Sequence, residues 1–354
     1  MRRKDIDKRR ARATITYRLQ RNHMAEKKKT ALVTGATGFI GSHLAARLVA
    51  EGYRVSCLVR KSSNLHWLDG LDVELVYGSI TDYDSLIYAV LDKDYVFHAA
   101  GLVRALSEKA FMDVNAAGVK NLLIALTETH TTPERFVLIS SQAAAGPAPE
   151  DAPKTETDPA APVSVYGRSK LAGEEGTRSF ADTIPITILR PAVVYGPRDT
   201  DVYTVFKMVN RRWNVIAGAP GRKFSFIYVH DLVDAALLAD ERAEAAGQTY
   251  FVTDGRFYSW REFTDAVAAA LGVRARTLSV PLPVVRVMAF AAETWGKLRR
   301  KPAILNGDKV KEIAAPGWCA ANAKLATELG FTAAHTMQEA LVETARWYKE
   351  KGWL

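Results

Sequence analysis

Cysteine is almost absent from this chain of 354 residues, which contains only Cys57 and Cys319. Two cysteines cannot form a disulfide framework, so we expect a protein of a reducing compartment, the cytoplasm. Zinc-ligand spacing is also missing, and we expect no metal site. No apolar run reaches the length of about 20 residues that a membrane-spanning helix needs.

Net charge is close to zero outside the first 29 residues. That segment holds twelve Lys and Arg against three Asp and Glu, a net charge of +9 that equals that of the whole chain. It lacks the apolar core of a signal peptide. We expect residues 1–29 to form a disordered extension, with Met24 as the native start. Basic residues confined to such a tail, without interleaved aromatics, do not indicate nucleic-acid binding.

A glycine-rich turn, TGATGFIG at residues 34–41, stands between a predicted strand at 30–33 and a helical pattern. In this context Gly35 permits a tight turn, Gly38 lets the backbone approach a pyrophosphate, and Gly41 lets the helix pack near the strand. The pattern therefore predicts a dinucleotide site. Its predicted binding residues are Gly35, Thr37, Gly38, Phe39, Ile40 and Gly41.

Strands and helices alternate over the first two hundred residues. Further strands are predicted at 53–59, 73–77, 95–98, 135–140 and 186–190, with helical patterns between them such as 84–91 and 114–127. This alternation predicts an α/β fold with a doubly wound parallel Rossmann sheet.

The pattern changes twice along the chain. Residues 146–162 are rich in proline and alanine and predict an irregular loop over the active site. Beyond about residue 195 the alternation loosens into a smaller mixed region. We expect an NAD(P)-binding Rossmann domain over 30–195 and a substrate-binding region over 196–354 that is partly interleaved with the sheet.

A tyrosine and a lysine share one helix face between the fifth and sixth predicted strands. Tyr166 and Lys170 are separated by one helical turn. A nearby ammonium favours the phenolate, so the pair could exchange a proton with a substrate oxygen. Ser141 follows the fifth strand at the edge where open α/β sheets bind ligands, and its hydroxyl could orient that oxygen.

Together these motifs resemble the extended short-chain dehydrogenase/reductase superfamily, also called the NAD-dependent epimerase/dehydratase family. The resemblance covers roughly residues 30–345. Its carriers are TGATGFIG at 34–41, GSITD at 78–82, HAAG at 98–101, Asn115, Ser140-Ser141, Tyr166 with Lys170, and RP…YGPR at 190–198.

The resemblance implies roles for individual residues. Tyr166 would be the acid/base, Ser141 the catalytic serine and Lys170 the residue that holds the ribose, with Asn115 as a fourth member of the catalytic group. Asp82 would contact the adenine, and Pro191 to Val193 would flank the nicotinamide. The cofactor-binding residues implied beyond the glycine turn are Ile80, Asp82, His98, Ala99, Ala100, Gly101, Tyr166, Lys170, Pro191 and Val193.

The end of the second predicted strand bears on the choice between NAD and NADP. NAD-preferring members usually carry an acidic residue there, whereas this chain has Arg60 and Lys61. A guanidinium makes bidentate contacts with a phosphate. We therefore predict NADP as the preferred cofactor, with Arg60 on the 2′-phosphate; the alternative is that both cations are solvated and the enzyme uses NAD.

Two enzyme classes within the superfamily remain open. One is a dehydrogenase or reductase of a hydrophobic alcohol or ketone, as in sterol (3β-hydroxysteroid) dehydrogenase-like or dihydroflavonol-reductase-like branches. The other is a nucleotide-sugar epimerase. Gln142 follows Ser141 where dehydratases carry an Asp-Glu pair, and Phe224 stands where sugar-nucleotide enzymes commonly carry an arginine, although Arg222 or Lys223 could substitute. These features favour the first class.

A proline-led apolar segment at 281–292, followed by basic residues up to 301, is also typical of the sterol branch. It could make peripheral contact with a membrane, roof an apolar pocket, or be a core or dimer helix. The resemblance implies a homodimer through helices around 110–127 and 166–180. A non-catalytic structural or regulatory relative is the remaining alternative, disfavoured because Ser141, Tyr166 and Lys170 are all retained.

Overall fold

The computed structural model describes residues 28–219, 221–299 and 301–354. Nearly all of the predicted basic extension, including Met24, lies outside the described residues. The strands are β1 (Thr30–Thr34), β2 (Arg54–Val59), β3 (Val73–Tyr77), β4 (Tyr95–His98), β5 (Arg135–Ile139), β6 (Ile186–Pro191), β7 (Val193–Tyr195), β8 (Trp213–Ala217), β9 (Lys223–Tyr228), β10 (Thr249–Val252), β11 (Phe257–Ser259) and β12 (Arg276–Val280).

The helices are α1 (Phe39–Ala50), α2 (Asp84–Ala89), α3 (Glu108–Met112), α4 (Gly118–Glu128), α5 (Gln142–Ala145), α6 (Val165–Arg178), α7 (Val202–Asn210), α8 (Val229–Glu241), α9 (Trp260–Leu271), α10 (Leu282–Leu298), α11 (Gly307–Ala314), α12 (Ala323–Leu329) and α13 (Met337–Glu350). A π-helical turn, Asp113–Ala117, joins α3 to α4, and a 3-10 turn, Ala243–Ala245, precedes β10.

Seven parallel strands form the central sheet in the order β10-β6-β5-β4-β1-β2-β3. The predicted doubly wound Rossmann fold is confirmed. Thr34 at the end of β1 pairs with His98 in β4 and Leu58 in β2, so the carboxyl ends of these strands lie at one edge. That edge carries the glycine turn and the predicted cofactor residues.

Each strand sends alternate side chains into two hydrophobic layers, because successive residues of a strand point to opposite faces. On one face Val33 and Phe97 pack with Leu44 of α1 and Leu232 of α8. The other face, which includes Leu32 and Val96, packs against α2 and α4. Burial on both faces explains the continuous apolar runs that predicted these strands.

A second, smaller region follows the sheet. Its three-stranded sheet has the order β11-β9-β7, and β8 pairs in parallel with β12. Aromatic side chains, including Tyr195, Phe226, Phe263 and Tyr348, form its core. Strand β10, however, returns to the central sheet beside β6, so the two regions are interleaved along the chain.

One predicted helix differs from the structure. The helical pattern at 114–127 instead continues from α3 through the π-helical turn into α4. The wider turn contains Asn115, whose side chain bonds the backbone of Leu102, a contact that local periodicity cannot show. The predicted loop at 146–162 is irregular, with bridges joining Ala148 to Trp318 and Lys154 to Ala320.

Candidate active site

Two glycines of the turn between β1 and α1 have no room for a side chain. Gly35 has a φ of +71°, and a Cβ there would lie 2.6 Å from the backbone nitrogen of Ala100. A Cβ on Gly41 would lie 2.2 Å from the carbonyl oxygen of Gly35. Gly38 is the exposed N-cap of α1. The turn therefore presents bare backbone at a helix N-terminus, which fits the pyrophosphate of a dinucleotide.

The end of β4 lies directly against this turn. Thr34 Oγ1 lies 2.9 Å from Nδ1 of the buried His98 and accepts a hydrogen bond from the Ala100 amide at 3.3 Å. Burial lowers the pKa of His98 to about 3, with a further contribution from the Lys170 ammonium. His98 is therefore a neutral spacer that fixes Ala99, Ala100 and Gly101 beside the glycine turn.

Two predicted cofactor residues follow β3: Ile80, and Asp82, which is predicted to contact the adenine. Asn121 Nδ2 donates to the carbonyl oxygen of buried Ile80 at 3.0 Å, while Asp82 is exposed. A surface groove beside them is lined by Thr81, Leu102, Ala110, Asp113, Val114, Ala117 and Asn121. This groove adjoins the edge that carries the glycine turn and has the mixed polar and apolar lining that an adenosine requires.

Arg60 is exposed at the carboxyl end of β2. Its amide donates to Ser63 Oγ at 3.2 Å, and Ser63 N donates back to its carbonyl oxygen at 2.9 Å. This turn holds the start of the Arg60 side chain beside the strand that adjoins the glycine turn. Arg60 therefore stands at the carboxyl end of the strand that pairs with β1, and its contact with a cofactor stays a prediction.

Helix α6 positions Tyr166 and Lys170, the predicted acid/base pair. Its N-cap Ser164 accepts from Gly167 N at 3.1 Å, so Tyr166 falls in the first turn. Lys170 Nζ donates to the carbonyl oxygen of Ile139 at 2.7 Å, which ties the helix to the end of β5. Ser141 is the N-cap of α5, where its Oγ accepts from Ala143 N at 3.1 Å. The structure thus brings the three predicted catalytic side chains together.

Burial controls the protonation of this group. It lowers the pKa of Lys170 to about 8, against the opposing effect of the Glu174 carboxylate. It also raises the pKa of Tyr166; a hydrogen bond with Ser141 acts in the opposite direction, and Glu312 adds to the rise. The protein alone therefore keeps Tyr166 as a neutral phenol that can donate a proton.

The Asn115 side chain forms hydrogen bonds close to Lys170. Its Oδ1 accepts from Leu102 N at 2.8 Å, and its Nδ2 donates to Leu102 O and to Ser169 Oγ, both at 2.9 Å. A Cβ on Gly101 would lie 3.1 Å from Asn115 Oδ1 and 3.7 Å from Lys170 Nζ. Asn115 thus joins the segment after β4 to helix α6.

The remaining predicted cofactor residues lie at the end of β6, the strand that pairs with β5. Pro191 ends β6, and Val193 begins β7 two residues later, partly exposed. The buried amide of Ala192 between them donates to Val252 O at 3.1 Å, which fixes this crossover against β10.

Sequence analysis missed a buried charge network under helix α6. Glu174 is fully buried and accepts from Arg190 Nη2 at 2.6 Å and from Ser140 Oγ at 2.5 Å. Arg178 adds a third contact at 3.0 Å. The spacing of Tyr166, Lys170 and Glu174 at four-residue intervals on one helix is the signal that could have revealed it.

A second missed contact comes from a distant part of the chain. Asp308 at the start of α11 accepts from the backbone amide of Val165 at 2.8 Å, and Glu312 of the same helix acts on Tyr166 electrostatically. No local signal links residues 143 positions apart. Helix α11 therefore lies beside the predicted acid/base.

The cations near Phe224 are already engaged by the protein. The Arg222 guanidinium donates to the backbone carbonyls of Ala217, Ala219 and Ile313. Lys223 Nζ pairs with Glu262 at 2.9 Å. Both side chains are thus held by partners within the protein.

In the part of the chain that the structure covers, no three His, Cys, Asp or Glu side chains cluster as a metal site would require. Cys57 and Cys319 are both buried thiols. Across the same residues, no helix is both long and apolar enough to cross a membrane.

Comparison with known proteins agrees with the dinucleotide-binding fold described above. Residues 31–252 match the NAD dependent epimerase/dehydratase family. The chain belongs to this family. It is therefore similar to proteins that include NAD(P)-dependent dehydrogenases, reductases and epimerases.

Relatives within the family differ in what they act on. The chain is 29% identical to "Ceramide reductase" of Caulobacter vibrioides over 91% of this chain and 95% of that protein. It is 32% identical to "UDP-glucose 4-epimerase" of Mycolicibacterium smegmatis over 68% and 82%. The structure of MoeE5 in complex with UDP-glucuronic acid and NAD matches with a TM-score of 0.73 at 23% identity, over 91% and 99% of the two chains, and supports the fold alone.

Proposed function

We propose that this protein is an NADP-dependent reductase or dehydrogenase that interconverts a ketone and a secondary alcohol on a hydrophobic molecule. The observation that carries the proposal is the convergence of Ser141, Tyr166 and Lys170 beside a glycine turn that a dinucleotide fits. A non-catalytic relative would have no need to keep all three.

In the reductive direction, Ser141 Oγ and Tyr166 Oη would hold the substrate oxygen. When bound, the reduced cofactor supplies a hydride to the carbonyl carbon, and NADP⁺ is the other product. Tyr166 gives its phenolic proton to the oxygen as the C=O double bond becomes a C–OH single bond. Lys170 stabilises the resulting phenolate until a proton from water restores it, so the alcohol gains one hydride and one proton.

The choice of a hydrophobic substrate is supported by the surroundings of the site. Arg222 and Lys223 are committed to protein partners. The loop after β4, which Asn115 holds beside Lys170, exposes Val103 and Leu106. A relative named for ceramide reduction makes a long-chain lipid ketone the first substrate class to test.

The experiment compares NADPH oxidation, followed by nicotinamide absorbance, with long-chain ketones and with UDP-sugars. We expect net consumption of NADPH with a ketone. Conversion of a UDP-sugar without net cofactor consumption would instead identify an epimerase.

Tyr166→Phe keeps the ring but removes the proton donor. Loss of general acid catalysis should lower turnover by about 100- to 10,000-fold while leaving NADPH affinity within about twofold. Tyr88→Phe, at an exposed position on α2, is the control and should behave as the parent protein. Parent-level turnover in Tyr166→Phe would remove the assigned acid.

A further inference from the structure

Helix α10 leaves one face uncovered. Val285 and Ala289 pack against Val310 of α11, and they form the buried side of the helix. The opposite side exposes six large apolar side chains, Val284, Val287, Met288, Phe290, Trp295 and Leu298. Phe290 and Leu298 are each 76% exposed. A contiguous apolar face of this size marks an interaction surface.

Cations border this face. Arg286 and Lys297 lie along one border of the helix, and Arg299 lies along the other. The Arg299 guanidinium stands 4.5 Å from the ring centroid of Trp295. Glu293, the acidic residue of the helix, is neutralised by Lys297 at 2.9 Å. An apolar face with an aromatic at its basic rim is the pattern of a helix lying in the interface of a bilayer.

The same helix is connected to the catalytic group through one intervening element. It packs on α11, and Asp308 of α11 accepts from Val165 N, the residue before Tyr166. A surface bound by α10 would therefore lie one helix away from the proposed acid/base.

We propose that the apolar face of α10 seats the protein on the surface of an anionic lipid bilayer. The bordering cations favour anionic headgroups, and the six apolar side chains enter the headgroup boundary. The notion that this contact delivers a lipid ketone rests on the function proposed above, whereas the contact itself does not depend on it.

A site-specific fluorophore separates this contact from any effect of the basic extension. Because Cys57 and Cys319 are buried, Phe290→Cys and Tyr88→Cys each provide one accessible thiol for an environment-sensitive label in the full chain. Tyr88 is 79% exposed on α2 and serves as the matched control. Both proteins are mixed with phosphatidylcholine vesicles, with and without phosphatidylglycerol, in the absence of cofactor and substrate.

We expect the label at 290, but not at 88, to shift to shorter wavelength on vesicles that contain phosphatidylglycerol. Val287→Ser combined with Leu298→Ser should weaken vesicle binding by roughly tenfold, since each buried apolar side chain contributes to partition. An unshifted label at 290, or an equal shift at 88, would overturn the proposal.

The experiment also distinguishes a second copy of the chain as the occupant. A shift at 290 that grows with protein concentration in vesicle-free buffer would assign the face to self-association and overturn the membrane contact. If vesicles bind as expected but no ketone is reduced, only the proposed function fails.

Discussion

Two buried or half-buried arginines show how differently the sheet region and the region beyond residue 196 use charge. Arg190 at the end of β6 pairs with the fully buried carboxylate of Glu174. Arg222, before β9, has backbone carbonyls as its partners. The first pair braces the helix that carries Tyr166 and Lys170. The second arginine closes a loop onto α11, so its guanidinium is engaged within the protein.

Removing the Glu174 charge should have the largest effect on folding. Glu174→Gln leaves Arg190 buried beside a neutral partner, and breaking a buried pair in this way costs about 3–5 kcal/mol. Denaturant unfolding should show this loss, whereas Glu175→Gln, an exposed neighbour on the same helix, should change the free energy of unfolding by less than about 0.5 kcal/mol. Equal effects of the two changes would mean that the network does not brace the helix.

Removing Arg222 from the second region should lower the free energy of unfolding by a smaller amount. Arg222→Ala leaves carbonyl oxygens of Ala217 and Ile313 without their donor, so we expect a loss of about 1–3 kcal/mol in the free energy of unfolding. Affinity for UDP-glucose, measured by calorimetry, should not change relative to the exposed control Arg211→Ala. A selective loss of UDP-glucose binding in Arg222→Ala would show that this arginine serves a nucleotide sugar.

The pH dependence of ketone reduction tests the proposed roles of Tyr166 and Lys170. Burial lowers the pKa of Lys170 to about 8, so its ammonium is present below that pH and is lost as the pH rises through it. Reduction requires both this ammonium and the Tyr166 proton, so the rate should be level near neutrality and fall about tenfold per pH unit above 8. Lys170→Arg keeps its charge, and its residual activity should lack this alkaline fall; an unchanged fall would assign it to another group.

The smallest predicted effect concerns the cofactor. Arg60→Ala should weaken NADPH binding by roughly tenfold and leave NADH binding unchanged, because only NADPH presents a 2′-phosphate to the guanidinium. Arg54→Ala, exposed at the opposite end of β2, is the control. Titration of cofactor fluorescence measures both, and parent-level NADPH affinity in Arg60→Ala would refute the predicted NADP preference.

The sequence could predict features that have a local pattern, and it could not predict those that depend on tertiary contacts. Strand Tyr95–His98 matches its predicted bounds, because burial on both sheet faces requires a continuous apolar run. The edge strand Val73–Tyr77 also matches its predicted bounds, although its residues are only partly buried or exposed. The glycine turn was predictable because a close backbone approach excludes every larger residue. Two features were not predictable: the position of Asn115 in a π-helical turn and the contact of Asp308 with Val165. Both depend on partners that only the tertiary fold brings together.

The most direct test of the account uses NADPH deuterated at C4 with a long-chain ketone, followed by mass spectrometry of the product. We predict one deuterium on the carbinol carbon, formed with stoichiometric loss of NADPH by the parent protein and by Tyr88→Phe but not by Tyr166→Phe. Interconversion of UDP-glucose and its 4-epimer without deuterium uptake, together with no reduction of any ketone, would contradict it.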